Sequence, residues 1–212
     1  MKLILVRHGQ TAWNKEQIFR GREDVPLDAT GHAQAEATAA VLAPLALAAA
    51  LSSPLSRARE TAEACARPHR MPVEVRQGFD DIHVGSWAGV SLEKIRTTEP
   101  TLFQLLEDHP EAFRFPEGET LAQVAGRAEE ETDRLARQFA PDDAVLVVSH
   151  RVVTKMLLLR ALGLGPEAFW RLRQDPCAIN ILHWGAHHRS VCLMNDTCHL
   201  AAAGHHATGR DF

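Results

Sequence analysis

The sequence predicts an α/β fold, a three-layer α/β/α sandwich with a mostly parallel central sheet. One observation is that residues 3–6, 48–52 and 144–149 are short apolar runs, typical of strands buried on both faces of a parallel sheet. The other is that a helical segment follows each run, the alternation that crossover connections between parallel strands produce. The chain has 212 residues, 45% of them hydrophobic, which is enough for one domain with a real core.

Local signals set the boundaries of the elements in the first third of the chain. Thr30 and Gly31 open an alanine-rich helix after the polar loop that follows the first strand. A Ser-Ser-Pro turn ends the second strand, and we expect the next helix over residues 56–67. A Val-Glu-Val strand over 73–75 then leads into an irregular loop that contains three glycines.

Helical periodicity dominates the next part of the chain, and two strands follow it. The strongest pattern spans residues 120–139, where apolar side chains recur at helical spacing. Two glycines, Gly163 and Gly165, stop the helix that begins at residue 151. The remaining predicted elements are short helices at 91–98 and 101–108 and late strands at 178–184 and 190–195.

No repeat or linker divides the chain, so we predict a single domain over residues 1–200. Residues 201–212 are rich in glycine, histidine and alanine, and we expect them to form a flexible tail.

Composition restricts the partners and the compartment that we expect. A net charge of −4 and a pI of about 6.3 argue against a nucleic-acid partner, although they allow a local positive pocket for a small anion. Four widely spaced cysteines without a CxxC pair predict reduced thiols and a cytoplasmic protein. Only Lys2 and four apolar residues separate Met1 from Arg7, so we expect no signal peptide.

One uncharged stretch, between Glu36 and Arg57, leaves a membrane span as an alternative. Its apolar part is mostly alanine, and it contains Pro44, Pro54 and several serines. A helix that leads into a buried strand explains this composition better, so we expect no membrane contact.

Polar residues stand at the carboxyl ends of the three main predicted strands, where open α/β sheets bind ligands. The strands end at Arg7-His8, Ser52-Ser53 and Ser149-His150, and Arg57 follows the second of them. In a right-handed crossover topology these ends share one edge of the sheet, so His8, Arg57 and His150 are expected to converge. Two guanidiniums suit a phosphate group, a neutral imidazole can attack phosphorus, and a second, charged imidazole can stabilise the growing charge without a metal.

Ordered sequence blocks resemble the histidine phosphatases, the superfamily of the cofactor-dependent phosphoglycerate mutases. They are "LVRHGQTAWN", "GREDVPLDATG", "SSPLSRARETA", "DDIHVGSWAG", "FPEGETLAQVAGR", "VLVVSHRVV" and "NDTCHL", and they cover nearly the whole chain in the family's order. The resemblance implies a phosphoglycerate mutase-like fold and a phosphohistidine intermediate. It also implies that His8 is the nucleophile, that Arg7, Arg57 and His150 form the phosphate pocket, and that Asn14 adds an amide to it.

The resemblance places the general acid and base at Asp81, four residues before Gly85, where the family carries glutamate. Aspartate is one methylene shorter, so its reach drops by roughly 1.5 Å unless the backbone compensates. Asp80 is the substitute for this role. We expect the bound phosphate dianion to raise the pKa of the acid and keep it protonated.

The candidate substrate-binding residues are Asn14, Thr11, Arg20, Gly21, Arg151 and His83. Many relatives have glycine where Arg151 stands, so this arginine is expected either to meet a second anionic group of the substrate or to lie on the surface at a helix start. His83 is expected either to line the site or simply to pack near Asp81.

The predicted function is a histidine acid-type phosphatase, a metal-independent phosphomonoesterase for a small phosphorylated metabolite. The segment from Ser91 to Pro116 is shorter than the corresponding part of the mutases, which suggests a more open site and favours water as the phosphoryl acceptor. Phosphoserine phosphatase or α-ribazole phosphatase-like specificity and mutase activity remain alternatives.

Two other classes of protein compete with this interpretation. A phosphate-binding protein disabled by the change to Asp81 is one alternative, although such a protein needs no nucleophile. A metal-dependent hydrolase that uses His8, Asp24, Asp28, His83 and His150 is the other, but these residues lack a compact metal-binding spacing. We therefore expect no metal and no cofactor, and a homodimer is left open as the assembly.

Overall fold

A six-stranded sheet organises residues 1–186 and 188–204, the part of the chain that the computed structural model describes. The strand order is β3-β2-β4-β1-β5-β6. The strands are β1 (Lys2–Arg7), β2 (Leu47–Ser52), β3 (Val73–Val75), β4 (Ala144–Ser149), β5 (Ile179–Trp184) and β6 (Arg189–Asp196). Strands β1 to β4 pair in parallel, whereas β5 pairs antiparallel with both β1 and β6. The predicted mostly parallel sheet is confirmed.

Helices cover both faces of the sheet. They are α1 (Ala12–Lys15), α2 (Ala29–Leu42), α3 (Ser56–Ala66), α4 (Leu92–Thr98), α5 (Pro100–Asp108), α6 (Leu121–Gln138), α7 (Arg151–Ala161) and α8 (Cys198–Ala202). Short 3₁₀ turns lie at Arg67–His69, Gln77–Phe79, Gly85–Trp87 and Pro166–Arg171. None of the helices in the described part of the chain is long and apolar enough to cross a membrane.

The side chains of β1 alternate between two hydrophobic cores. Leu3 and Leu5 pack with α6 and α7, whereas Ile4 and Val6 pack with α2 and α3. All four side chains are fully buried, which explains why this strand is a continuous apolar run rather than an alternating one.

Close backbone packing fixes the loop that follows β1. The side chain of Asp28 caps α2 by accepting a hydrogen bond from the Gly31 backbone N–H. A Cβ at Gly31 would collide with the carbonyl oxygen of Gln10, so only glycine allows α2 to begin this close to the loop. The N-terminus of α2 therefore holds the residues directly after His8 in place.

The elements differ from the predictions mainly near chain turns. Helix α3 ends at Ala66, one residue before the predicted end, because Pro68 favours a new turn. The sequence does not predict helices α1 and α8, since both are short and lack apolar periodicity. The predicted flexible tail begins at Ala201, yet α8 extends to Ala202. Residues 205–212 lie outside the described residues, so the flexibility of the tail stays a prediction.

Candidate active site

Three parallel strands end side by side and bring the two predicted histidines together. His8 follows β1, and His150 follows β4, its neighbour in the sheet. The backbone N–H of His8 donates to the carbonyl of Ser149 at 2.9 Å, and the two imidazole centroids are 5.1 Å apart. Both side chains are buried. The sheet itself therefore positions both imidazoles.

The His8 imidazole is held in one tautomer. Its Nδ1 lies 2.7 Å from the carbonyl oxygen of Gly9, which can only accept a hydrogen bond, so Nδ1 carries the proton. Burial lowers the pKa of His8 well below its ordinary value, and the positive charges of Arg57 and Arg7 lower it further. At neutral pH the ring is therefore neutral, and the lone pair of Nε2 is available for attack on an electrophile.

Buried guanidiniums surround this imidazole. Arg57 donates to the carbonyls of Glu23 and Gly21 at 2.7 and 2.8 Å, and Arg7 donates to the carbonyl of Gln174 at 2.7 Å. Among the described residues, no partner accepts a hydrogen bond from Nε of Arg57, although this atom is buried. A buried cluster of cations of this kind suits a dianionic ligand such as a phosphate group.

The Asp81 carboxylate also reaches the cluster. Its Oδ2 lies 3.0 Å from Nη2 of Arg57 and 3.4 Å from Nδ1 of His150, and its Oδ1 accepts a hydrogen bond from the backbone N–H of Ile82. Burial opposes ionisation of Asp81, but the charge that His150 carries when protonated and the guanidiniums of Arg57 and Arg20 lower its pKa below the ordinary value. The shorter aspartate side chain thus reaches the pocket, and it is ionised without substrate.

The second imidazole differs from the sequence-based expectation of a charged ring. His150 hydrogen-bonds to the Ser53 hydroxyl through Nε2 at 2.6 Å. Burial lowers its pKa to about 3; Asp81 opposes this shift, and Arg57 reinforces it. The ring is therefore neutral in the unliganded protein. A bound phosphate dianion would raise its pKa and favour the charged form.

A small cavity of about 40 Å³ lies next to His8. It is lined by His8, Phe19, Arg20, Gly21, Asp81, Ile82, Val84, Phe115, Arg151 and Val152. The guanidinium carbon of Arg151 is 5.9 and 6.0 Å from the ring centroids of Phe169 and Trp170. Arg151 thus stands at the cavity and is not a detached surface side chain.

The other predicted substrate-binding residues differ in their position relative to the cavity. Arg20 and Gly21 line the cavity. Thr11 and Asn14 do not line it but connect to it through Arg20. The backbone N–H and the hydroxyl of Thr11 both donate to Oδ1 of Asn14 at 2.9 Å, and Arg20 donates to the Thr11 hydroxyl at 3.2 Å. His83 is exposed, because the flanking Ile82 and Val84 occupy the inner face of the loop. The structure therefore does not bring the His83 side chain to the cavity.

Sequence reasoning misses several residues that support the site. Ser53, which contacts His150, has a visible signal because it ends the second predicted strand. Gln174 contacts Arg7 through a backbone carbonyl, which no side-chain pattern can show. Glu119 and Arg127 hold the Asp81 loop from α6 and the turn before it, and only the tertiary packing reveals this.

The residues present offer no obvious place for a metal ion. Within residues 1–186 and 188–204, no group of three or more His, Cys, Asp or Glu side chains is arranged to hold one. The cations of the site are guanidiniums, which would repel a metal ion placed beside them.

Comparison with known families assigns this arrangement to a class of proteins. Residues 3–197 match the model of the histidine phosphatase superfamily, branch 1. The chain therefore belongs to the histidine phosphatase superfamily, and the resemblance of its ordered sequence blocks is confirmed.

Relatives with a named activity include a phosphoserine phosphatase and probable phosphoglycerate mutases. The chain is 30% identical over 200 residues to phosphoserine phosphatase 1 of Hydrogenobacter thermophilus, covering 94% of both chains. It is 28% identical to a probable phosphoglycerate mutase of Yersinia enterocolitica, covering 94% of this chain and 95% of that protein. Among solved structures, phosphoserine phosphatase from Entamoeba histolytica in complex with 3-phosphoglyceric acid matches with a TM-score of 0.84 and 26% identity, over 94% of this chain and 98% of that one.

Proposed function

We propose that this protein is a metal-independent phosphomonoesterase that hydrolyses a small phosphorylated metabolite through a phosphohistidine at His8. The observation that supports this most directly is the neutral imidazole of His8, with Nε2 unprotonated, held among the guanidiniums of Arg7 and Arg57. A site that only bound phosphate would need the guanidiniums, but it would not need a nucleophile placed between them.

In the first step, Nε2 of His8 attacks phosphorus and the bond to the ester oxygen breaks. Asp81 gives a proton to the departing oxygen, which leaves as an alcohol. The guanidiniums of Arg7 and Arg57 neutralise the charge on the phosphoryl oxygens, and His150 becomes a cationic donor once the dianion is bound. The products of this step are the alcohol and phosphohistidine.

In the second step, the ionised Asp81 takes a proton from a water molecule, whose oxygen attacks phosphorus. The bond between phosphorus and Nε2 breaks, inorganic phosphate forms, and His8 returns to its neutral state. Asp81 is then protonated, and it loses this proton when phosphate leaves, because its pKa is lowered in the unliganded site.

Phosphatase activity is favoured over mutase activity by the short segment between the Asp81 loop and α6. A mutase must hold its phosphoryl donor while the substrate reorients, which requires a site closed to water. The family resemblance implies that the segment from Ser91 to Pro116 is shorter than the corresponding part of the longer mutases. Phosphoglycerate mutase activity remains the second candidate, since a relative that matches over nearly its whole length is named a probable phosphoglycerate mutase.

Arg151 points to a substrate that carries a second anionic group. Its guanidinium stands at the cavity next to His8, on the faces of two aromatic rings that fix its position. We therefore favour phosphoserine or another small carboxylated phosphomonoester, in line with the names of two relatives. An α-ribazole phosphatase-like specificity is the alternative without a carboxylate.

The test is hydrolysis of p-nitrophenyl phosphate near pH 6 after exhaustive EDTA treatment, followed by a panel of esters. We expect full activity in EDTA, and faster turnover of phosphoserine and 3-phosphoglycerate than of glycerol 2-phosphate. Loss of activity that a divalent metal restores would contradict a metal-independent mechanism. Equal rates for all three esters would remove the carboxylate role of Arg151.

The pH profile is expected to show an acidic optimum for alkyl esters. The lowered pKa values of both groups mean that the free enzyme at neutral pH holds a neutral His8 and an ionised Asp81. The proton for the leaving oxygen must then arrive with the substrate monoanion, and a phosphomonoester loses that proton at a pKa of about 6. Above this pH, kcat/KM should fall by at least about tenfold per unit, and more steeply where His150 also takes up a proton as the dianion binds. A constant kcat/KM over that range, measured with an alkyl ester, would contradict this protonation scheme.

A further inference from the structure

The guanidinium of Arg127 donates hydrogen bonds to the backbone of the loop that carries Asp81. Arg127 lies on α6, outside the cavity next to His8. Its Nη1 donates to the carbonyls of Gly78 and Asp80 at 3.1 and 2.6 Å, and its Nη2 donates to the carbonyl of Asp81 at 2.9 Å. One side chain thus satisfies three carbonyls within four residues of the loop.

The carboxylate of Glu119 holds this guanidinium in position. Glu119 accepts from Nε and Nη2 of Arg127 at 3.0 and 3.2 Å, a two-point contact that sets the plane of the guanidinium. The same carboxylate accepts from the backbone N–H of His83 at 2.9 Å. Burial alone would raise the pKa of Glu119, but the hydrogen bonds from Arg127 and His83 lower it, so the group is ionised.

A second arginine, Arg22, contacts the same loop and the same carboxylate. Nε of Arg22 donates to the carbonyl of Asp81 at 3.2 Å and lies 3.2 Å from the carboxylate of Asp80, while its Nη2 donates to Glu119 at 3.2 Å. The Arg22 side chain is 41% exposed and that of Arg127 only 20%, so Arg127 makes the more enclosed and more extensive contact.

We propose that Arg127 is a positioning residue for the general acid Asp81. Only one methylene separates the carboxylate of Asp81 from its Cα, so the distance from the carboxylate to the leaving oxygen depends on the position of the backbone. The contacts to the carbonyls of residues 78, 80 and 81 fix that backbone on both sides of Asp81. This role rests on the proposed function, because it requires Asp81 to act as the acid.

Loss of the guanidinium would remove the Arg127 donor from the carbonyls of Gly78 and Asp80 and leave the carbonyl of Asp81 with Arg22 alone, so the loop would be freer to shift. A displacement of about 1 Å at a catalytic group can cost about 10²-fold in rate. The loss should depend on the leaving group. An alkoxide needs a proton to depart, whereas p-nitrophenolate is stable enough to leave without one.

The experiment compares kcat/KM of Arg127→Met for two esters. These are p-nitrophenyl phosphate and the alkyl ester that the wild type hydrolyses best among phosphoserine, 3-phosphoglycerate and glycerol 2-phosphate. Because kcat/KM covers the steps up to release of the alcohol, hydrolysis of phosphohistidine does not affect it. Arg137→Met is the matched control, since Arg137 is an exposed arginine of the same helix. Asp81→Asn provides the reference for complete loss of the acid.

We expect Arg127→Met to lower kcat/KM about 10- to 100-fold for the alkyl ester and less than about threefold for p-nitrophenyl phosphate. Arg137→Met should match the wild type on both esters. Arg127→Lys keeps the charge with fewer donors. It should therefore lower kcat/KM less than the methionine variant does, again more for the alkyl ester than for p-nitrophenyl phosphate. It serves as the test if the methionine variant does not fold.

Two outcomes would overturn the inference, and they can be told apart. If Asp81→Asn is selective for the alkyl ester but the Arg127 variants lose both esters equally or neither, the positioning role is wrong and the proposed function stands. If Asp81→Asn itself shows no dependence on the leaving group, the acid role of Asp81 fails and the positioning role fails with it.

Discussion

Replacement of His8 by alanine is expected to reduce phosphatase activity by at least about 10⁴-fold on every ester, including p-nitrophenyl phosphate. The variant removes the only group that we propose to form a bond to phosphorus, so even a good leaving group cannot rescue it. Steady-state turnover at pH 6 in EDTA measures the effect. The remaining guanidiniums should still bind inorganic phosphate, which separates loss of chemistry from loss of the pocket.

His109→Ala is the control for this variant, because His109 is an exposed histidine directly after α5 and outside the cavity next to His8. It should retain the wild-type rate. Residual activity of His8→Ala above about one hundredth of the wild type would contradict covalent catalysis, since general acid catalysis and binding by the arginines would then account for most of the rate.

Replacement of Asp81 by asparagine is expected to lower kcat/KM for an alkyl phosphomonoester by about 10²- to 10⁴-fold. Asparagine has one side-chain oxygen in place of two, so it can keep the hydrogen bond from either Arg57 or the Ile82 N–H, and it cannot transfer a proton to the departing oxygen. For p-nitrophenyl phosphate, kcat/KM should change by less than about tenfold, because that leaving group needs no proton. Parallel measurement of the two esters gives the comparison.

Asp80→Asn is the matched control, because this neighbouring carboxylate is the alternative acid. Burial raises the pKa of Asp80, while the backbone N–H of Asp81 and the charge of Arg22 oppose the shift. Asparagine preserves the acceptor for the Asp81 N–H, so the loop should keep its shape. If Asp80→Asn carries the selective loss and Asp81→Asn does not, the acid role belongs to Asp80.

Sequence reasoning locates the sheet edge because apolar strands and polar strand ends follow directly from burial. Strands β1, β2 and β4 are continuous apolar runs, and parallel pairing places their ends together. The meeting of His8 with His150, which lie far apart in the chain, follows from that topology alone. Site residues that directly follow these strands are therefore predictable from the sequence.

Residues that act through loop geometry are not predictable in the same way. His83 is two residues from Asp81, yet its side chain faces solvent because Ile82 and Val84 fill the inner side of the loop. Conversely, Arg127 is 46 positions from Asp81 in sequence but donates to its carbonyl. Both outcomes depend on how α6 packs against the loop, which no local pattern contains.

Protonation states also lie beyond the sequence. The residue types suggest a charged second imidazole, whereas the burial of His150 lowers its pKa to about 3 and makes it neutral until an anion binds. The ionised Asp81 has the same origin, since its charge partners are set by the distances to Arg57 and His150. Charge in this site is therefore a property of the fold and of the ligand.

The most direct test of the central claim is to trap a phosphoryl group on His8. In Asp81→Asn, p-nitrophenyl phosphate should still phosphorylate His8, but water should lack its general base, so the intermediate should accumulate. We expect a burst of one p-nitrophenol per protein molecule and an alkali-stable, acid-labile phosphoryl group that mass spectrometry locates on His8. Absence of both the burst and the modification, or a phosphoryl group on another residue, would contradict the phosphohistidine mechanism.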